Sequence, residues 1–140
     1  MILMTNDVEK VKKDLLSQSK TIAILGLSDK SHRTSNLIGQ YLLNKGYNIV
    51  PVNPKIREAL GQKAYDEVKE VPEAVDLVCI FRKNHDLLEV IRQALEKDIP
   101  AVWIQPGIEC PEEAVTAAVD QKIKLIQGRC IKVEHRKLFP

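Results

Sequence analysis

Thr21-Ile22-Ala23-Ile24-Leu25-Gly26 opens the stretch that decides the fold. Five strand-forming residues run without interruption and stop at a glycine, the pattern of a short buried strand. The polar connection 27–33 leads to Thr34-Ser35-Asn36, where Thr34 or Ser35 is expected to cap a helix. Leu37, Ile38, Tyr41 and Leu42 supply that helix's apolar positions, and Gly46 suits the left-handed position just past its end. Strand, glycine turn, polar loop and capped helix make the opening half of a βαβ unit. Such a helix start offers unpaired N–H groups and a partial positive charge, and Arg33 adds a full charge beside it. The dinucleotide fingerprint is incomplete, because Ser28 stands where the second glycine would fall.

Outward from this unit the alternation continues. Asn6 and Glu9 have capping-box spacing, and Val8, Val11, Leu15 and Leu16 give one apolar face, so a helix within residues 1–18 is expected to pack on the domain. Residues 47–52 (YNIVPV) read as a second strand that yields to loop by Asn53-Pro54. Residues 55–72 are irregular, with a short extended piece at 61–65 and at most one helical turn at 66–70. Residues 74–81 (AVDLVCIF) form a third strand, and Asn84 is expected to cap a helix carrying Leu87, Leu88, Ile91 and Leu95. Residues 100–104 (PAVWI) form a fourth strand, followed by a helix whose first turn holds Pro111. Residues 123–126 form a fifth. The tail 130–139 reads as a short strand or a docked turn. The expected fold is α/β: a Rossmann-like three-layer sandwich, a five-stranded parallel sheet with helices on both faces, in one domain spanning 1–140.

Composition narrows the function. The chain has 140 residues, 44% hydrophobic and 29% charged, as in an ordinary globular protein. A net charge of +2 is too small to imply a nucleic acid or an anionic membrane as partner. No apolar run is long enough for a membrane span. Cys79, Cys110 and Cys130 lack metal-site or disulfide spacing, which points to a reducing cytoplasm and no metal. A homo-oligomer is compatible with all of this.

In a parallel sheet the strand C-termini and helix N-termini crowd one rim, where ligands bind. The rim here collects Gly26, Ser28, Arg33, Thr34 and Ser35; Asn53, Pro54 and Lys55; Phe81, Arg82 and Asn84; Gln105 and Gly107; and Cys130. An NAD site would carry an acid after the second strand. Lys55 favours a phosphorylated ribose instead, as in NADP or coenzyme A. Phe81-Arg82 offers an aromatic face and a guanidinium. No paired carboxylates, nucleophile elbow, P-loop or zinc motif appears. His32, His85 and His135 are scattered.

These residues carry a resemblance. IAILGLS (22–28), Arg33-Thr34-Ser35, GYNIVPVNPK (46–55), LGQKAY (60–65), VDLVCIFR (75–82), AVWIQPGI (101–108) and GRC-x-K-x-E (128–134) resemble the small stand-alone CoA-binding domain proteins. Their fold is similar to the CoA-binding part of the succinyl-CoA synthetase α subunit. The resemblance implies strand order 3-2-1-4-5 and coenzyme A bound across the rim as ligand. It implies pyrophosphate on the Gly26–Ser35 loop and the adenosine 3′-phosphate near Asn53, Pro54 and Lys55. The nucleotide would be flanked by Phe81 and Arg82, with pantetheine passing Gln105 and Gly107 toward Cys130. It brings a binding site for CoA or acyl-CoA without a phosphorylated-histidine domain, so no catalysis is expected of the chain itself. An NADP-binding oxidoreductase and an interaction module with a vestigial nucleotide fold are the alternatives.

Overall fold

A computed structural model describes residues 5–81 and 87–140 of the chain. Its elements run α1 (Thr5–Gln18), β1 (Thr21–Leu25), α2 (Thr34–Asn44), β2 (Asn48–Val52), β3 (Glu58–Ala59), β4 (Gln62–Lys63), a 3₁₀ turn (Val68–Glu70) and β5 (Leu77–Ile80). There follow α3 (Leu87–Glu96), β6 (Ala101–Ile104), α4 (Glu112–Asp120), β7 (Lys124–Gln127) and α5 (Ile131–Leu138). The principal sheet has five parallel strands in the order β2-β1-β5-β6-β7. β3 and β4 form a separate two-stranded antiparallel hairpin.

The two sheet faces bury separate clusters. On one face Ala23, Leu25, Val50, Val78, Ile80, Val102 and Ile104 pack with Leu87, Val90, Ile91 and Ala94 of α3 and Ala114 and Ala118 of α4. On the other, Ile22, Ile24, Ile49, Leu77, Cys79, Ala101, Trp103 and Ile126 meet Leu15 and Leu16 of α1, Ile38 and Leu42 of α2, and Ile131 of α5. Alternation along the inner strands feeds both faces, which is why β1, β5 and β6 read as continuous apolar runs.

The expected order 3-2-1-4-5 needs correction. The third long strand, β5, pairs with β1 rather than β2, so in order of the five strands the sheet is 2-1-3-4-5. The outer flank of β2 is met instead by a single parallel bridge between Val52 and Tyr65. Tyr65 N–H donates to the Pro51 carbonyl at 3.0 Å, and Asn53 N–H donates to the Tyr65 carbonyl at 2.8 Å. The extended piece at 61–65 therefore sits where a Rossmann third strand would lie, shortened to a bridge. Pro51 is tolerated because Asn48 N–H bonds the Lys20 carbonyl, so alternation turns the Pro51 nitrogen away from β1 to the sheet's edge.

α2 ends as expected. Gly46 has φ +99, Tyr47 N–H reaches the Leu42 carbonyl at 3.2 Å, and Gly46 N–H reaches Leu43 at 3.1 Å, which is a Schellman motif. Its start differs. Arg33 is the N-cap, with extended backbone and no side-chain cap bond, and Thr34 and Ser35 are already helical. Pro111 likewise precedes α4 as its N-cap instead of sitting in its first turn. The tail, read as a strand or turn, is the helix α5.

Candidate functional site

Gly26 follows β1 with φ +87, a left-handed conformation that favours glycine, and its N–H bonds the Val52 carbonyl at 2.8 Å. The turn is thereby pinned to the end of β2. Beyond it, the loop is tied to α2 through the Ser28 backbone: its N–H donates to Ser35 Oγ at 3.0 Å, and its carbonyl accepts from Asn36 Nδ2 at 2.8 Å. Asn36 in turn accepts from Gln40 Nε2 at 2.7 Å. Ser35 and Asn36 are both buried. Ser35, expected as one of two candidate caps, thus uses its hydroxyl to hold the loop.

The second loop is joined to the first by Asn53. Its Nδ2 donates to the Leu27 carbonyl at 3.0 Å, while its Oδ1 accepts from Lys55 N–H at 3.0 Å, turning the chain so that Pro54 and Lys55 are exposed. Further along the rim, Phe81 N–H bonds the Leu25 carbonyl at 2.9 Å, and Gln105 N–H bonds the Ile80 carbonyl at 3.1 Å. Gly26, Ser28, Arg33, Thr34, Ser35, Asn53, Pro54, Lys55, Phe81 and Gln105 thus stand on one stitched set of strand ends and loops. Phe81 is half-buried and packed against the core. Arg82 and Asn84 lie outside the described residues.

Electrostatically the start of α2 is open to an anion. Its N-cap makes no side-chain bond, and its first turn has no acidic residue. Arg33, Thr34 and Lys55 are exposed, and neither cation forms an ion pair among the described residues. The combination suits a phosphorylated ligand.

At the far side of the rim the picture is more structural. Gln105 is buried, and its Oε1 accepts from Ile131 N–H at 2.9 Å, tying β6 to the first turn of α5. Gly107 is exposed with φ +86 and open space around it. Cys130 is half-buried as the N-cap of α5, and Trp103 Nε1 donates to the neighbouring Arg129 carbonyl at 2.8 Å. Cys79 is fully buried, and burial pushes its thiol strongly up. Burial also raises Cys110. Among the described residues no cluster of His, Cys, Asp or Glu could hold a metal ion. Among them, too, no helix is long and apolar enough to cross a membrane.

Sequence reasoning missed Asn36 and Gly39. Asn36 is a polar residue on the buried face of α2, and that mismatch was the available signal. At Gly39 an added Cβ would come within 2.8 Å of Leu60 Cδ1 and 3.3 Å of Leu27 Cδ1, so the glycine lets α2 close on the loop.

Residues 20–136 match the family model of the CoA binding domain. The chain is 40% identical over 132 residues to the uncharacterized protein YneT of Bacillus subtilis, covering 94% of this chain and 97% of that one. It is 29% identical over 121 residues to an ADP-forming acetate–CoA ligase of Archaeoglobus fulgidus, covering 80% of this chain but 18% of the ligase. A hypothetical protein of Pyrococcus horikoshii OT3 superposes with a TM-score of 0.88 at 33% identity, over 94% of this chain and 92% of its own. A Thermus thermophilus protein superposes at 0.86 and 33%, over 94% and 98%.

Proposed function

The chain belongs to the CoA binding domain family, and from that membership we propose that it binds coenzyme A or an acyl-CoA along the rim of its parallel sheet, without catalysing a reaction itself. The observation that carries this reading is the open start of α2 at Arg33, on the loop that follows the Gly26 turn and that Asn53 ties to the loop exposing Lys55. The pyrophosphate is assigned to the amides at the start of α2, with Arg33 alongside. The 3′-phosphate is assigned to Lys55, presented by the Asn53 turn. The adenine face is given to Phe81 and Arg82, and pantetheine runs past Gln105 and Gly107 toward Cys130.

Titration calorimetry with coenzyme A, dephospho-CoA and NADP tests this. Coenzyme A is expected to bind about tenfold more tightly than dephospho-CoA, as suits one charge-assisted phosphate contact. Lys55→Glu should remove that difference, and Arg33→Glu should weaken both ligands alike. Equal affinity for the two would reject Lys55 as the phosphate contact. Binding of NADP in place of coenzyme A would favour an oxidoreductase-like ligand, and no binding at all would leave a vestigial nucleotide fold.

A further inference from the structure

A groove of about 570 Å³ lies away from the loops described above, along the outer side of β7. Val8 and Val11 of α1 form one wall, Val115 and Val119 of α4 the other, and Ile123, Leu125 and Ile126 the floor. Gln127 and Arg129 stand at its upper end, where β7 reaches the rim. The valines and Leu125 are only half-buried, so apolar surface is left to solvent on both walls.

The sheet order connects this groove to the rim. From the Gly26 turn at the end of β1, the strand ends proceed through β5 and β6 to β7. Three steps of about 4.8 Å place the top of the groove roughly 14 Å from the phosphate loop, in the direction assigned to pantetheine. A chain attached to the CoA sulfur would reach the edge of the sheet there and turn down between α1 and α4.

We propose that this groove receives the acyl chain of an acyl-CoA; the proposal rests on the CoA reading of the rim and makes the ligand a medium or longer acyl thioester. Other occupants fit less well. A second copy seated here would bring together Lys122, Lys124 and Arg129 of both chains, and none of the described groove-lining residues is acidic. An added peptide strand would find only four residues of edge, begun by Lys124, a lysine placement that discourages strand pairing. An acyl chain needs no backbone partner. Lys122, Lys124 and Arg129 form no ion pair among the described residues. Their methylene stems extend the apolar walls.

Titration calorimetry with coenzyme A, butanoyl-CoA and octanoyl-CoA tests it. Each methylene taken into the groove should tighten binding by about three- to fourfold, so octanoyl-CoA should exceed butanoyl-CoA by at least about tenfold. Val119→Asp should abolish that gain and leave the affinity for coenzyme A unchanged. Val115→Trp, which fills the groove without adding charge, should do the same and serves if the aspartate variant does not fold. Equal affinities for all three ligands in the wild type would overturn the groove assignment while the rim reading stands. A chain-length gain that survives in a folded variant would also overturn it. Loss of coenzyme A binding in the wild type would remove the rim reading and the groove with it. A concentration-dependent dimer that Val119→Asp dissociates would give the groove to a second copy instead.

Discussion

At the residue scale, the least expected feature is a charge inside the molecule. Lys12 on α1 is fully buried, and it donates to Glu134 of α5 and, at 2.6 Å, to Glu9. Burial works against the Lys12 charge, but the two carboxylates outweigh it and hold its pKa above the lysine range. Burial likewise opposes the Glu134 charge, while Lys12, Lys137 and Arg129 bring its pKa below the carboxylate range. The raised lysine contributes stability below its unfolded pKa, lost as pH rises through the folded one. The depressed glutamate contributes above its unfolded pKa, lost as pH falls through the folded one. Glu134→Gln is expected to cost about 3 kcal/mol in urea unfolding at pH 7, the low end for a broken buried pair because Glu9 remains. Lys12→Met with Glu134→Leu should recover most of that, and a double variant no better than the single would show that the pair is worth more than its packing. Beside it, burial and then Lys45 lower the pKa of His135, whose Nδ1 lies 2.8 Å from Tyr41 Oη. A depressed histidine contributes stability above its unfolded pKa, so Tm should fall as pH drops below about 6.5. His135→Phe should flatten Tm between roughly pH 5 and 7, and an unchanged slope in that variant would assign the titration elsewhere.

At the scale of elements, helix ends set the strands that follow. α3 and α4 close as α2 does, but without glycine. Asp98 has φ +56 with Ile99 N–H on the Ala94 carbonyl at 2.8 Å, and Lys122 has φ +61 with Ile123 N–H on Ala118 at 2.8 Å. Asp98 is exposed, so its side chain gains little to offset the left-handed backbone. Asp98→Gly should therefore stabilise the protein by about 0.5–1 kcal/mol in denaturant unfolding; a loss of stability would mean that the carboxylate has a compensating role. The same elements mark what the sequence discloses. β1, β5 and β6 were legible because each is an uninterrupted apolar run feeding both faces, and α2 because its apolar positions recur at helical spacing. α5 was not, because its buried positions are Ile131, Glu134 and His135, and two polar residues hide the helical period. The flank of β2 was hidden too, since a one-residue bridge at Tyr65 leaves no apolar run to read. Of the candidate site, the glycine turn and the cations could be read directly. The burial of Ser35 and Gln105 could not, since each is a polar residue whose partner lies on a neighbouring loop or helix.

At the scale of the whole molecule, the question is whether residues 1–140 unfold as one unit, which we propose they do. α1 is the element most easily imagined as separate, being the only described element before β1. Yet Leu15 and Leu16 are buried in the same cluster as Trp103 and Ile131, Tyr47 Oη donates to the Leu16 carbonyl, and Lys12 joins α1 to α5. Those ties cross from the first helix to the last. Trp103, the single tryptophan, is fully buried in β6 and reports on the centre of the sheet, while far-ultraviolet circular dichroism reports on the helices, α1 included. For one cooperative unit the two signals must follow the same curve in urea. Glu134→Gln should shift both curves together to lower urea, because weakening α1 against α5 then weakens the whole. A dichroism transition that precedes the fluorescence change, and moves alone in Glu134→Gln, would instead make α1 an appendage that docks on an independently stable sheet.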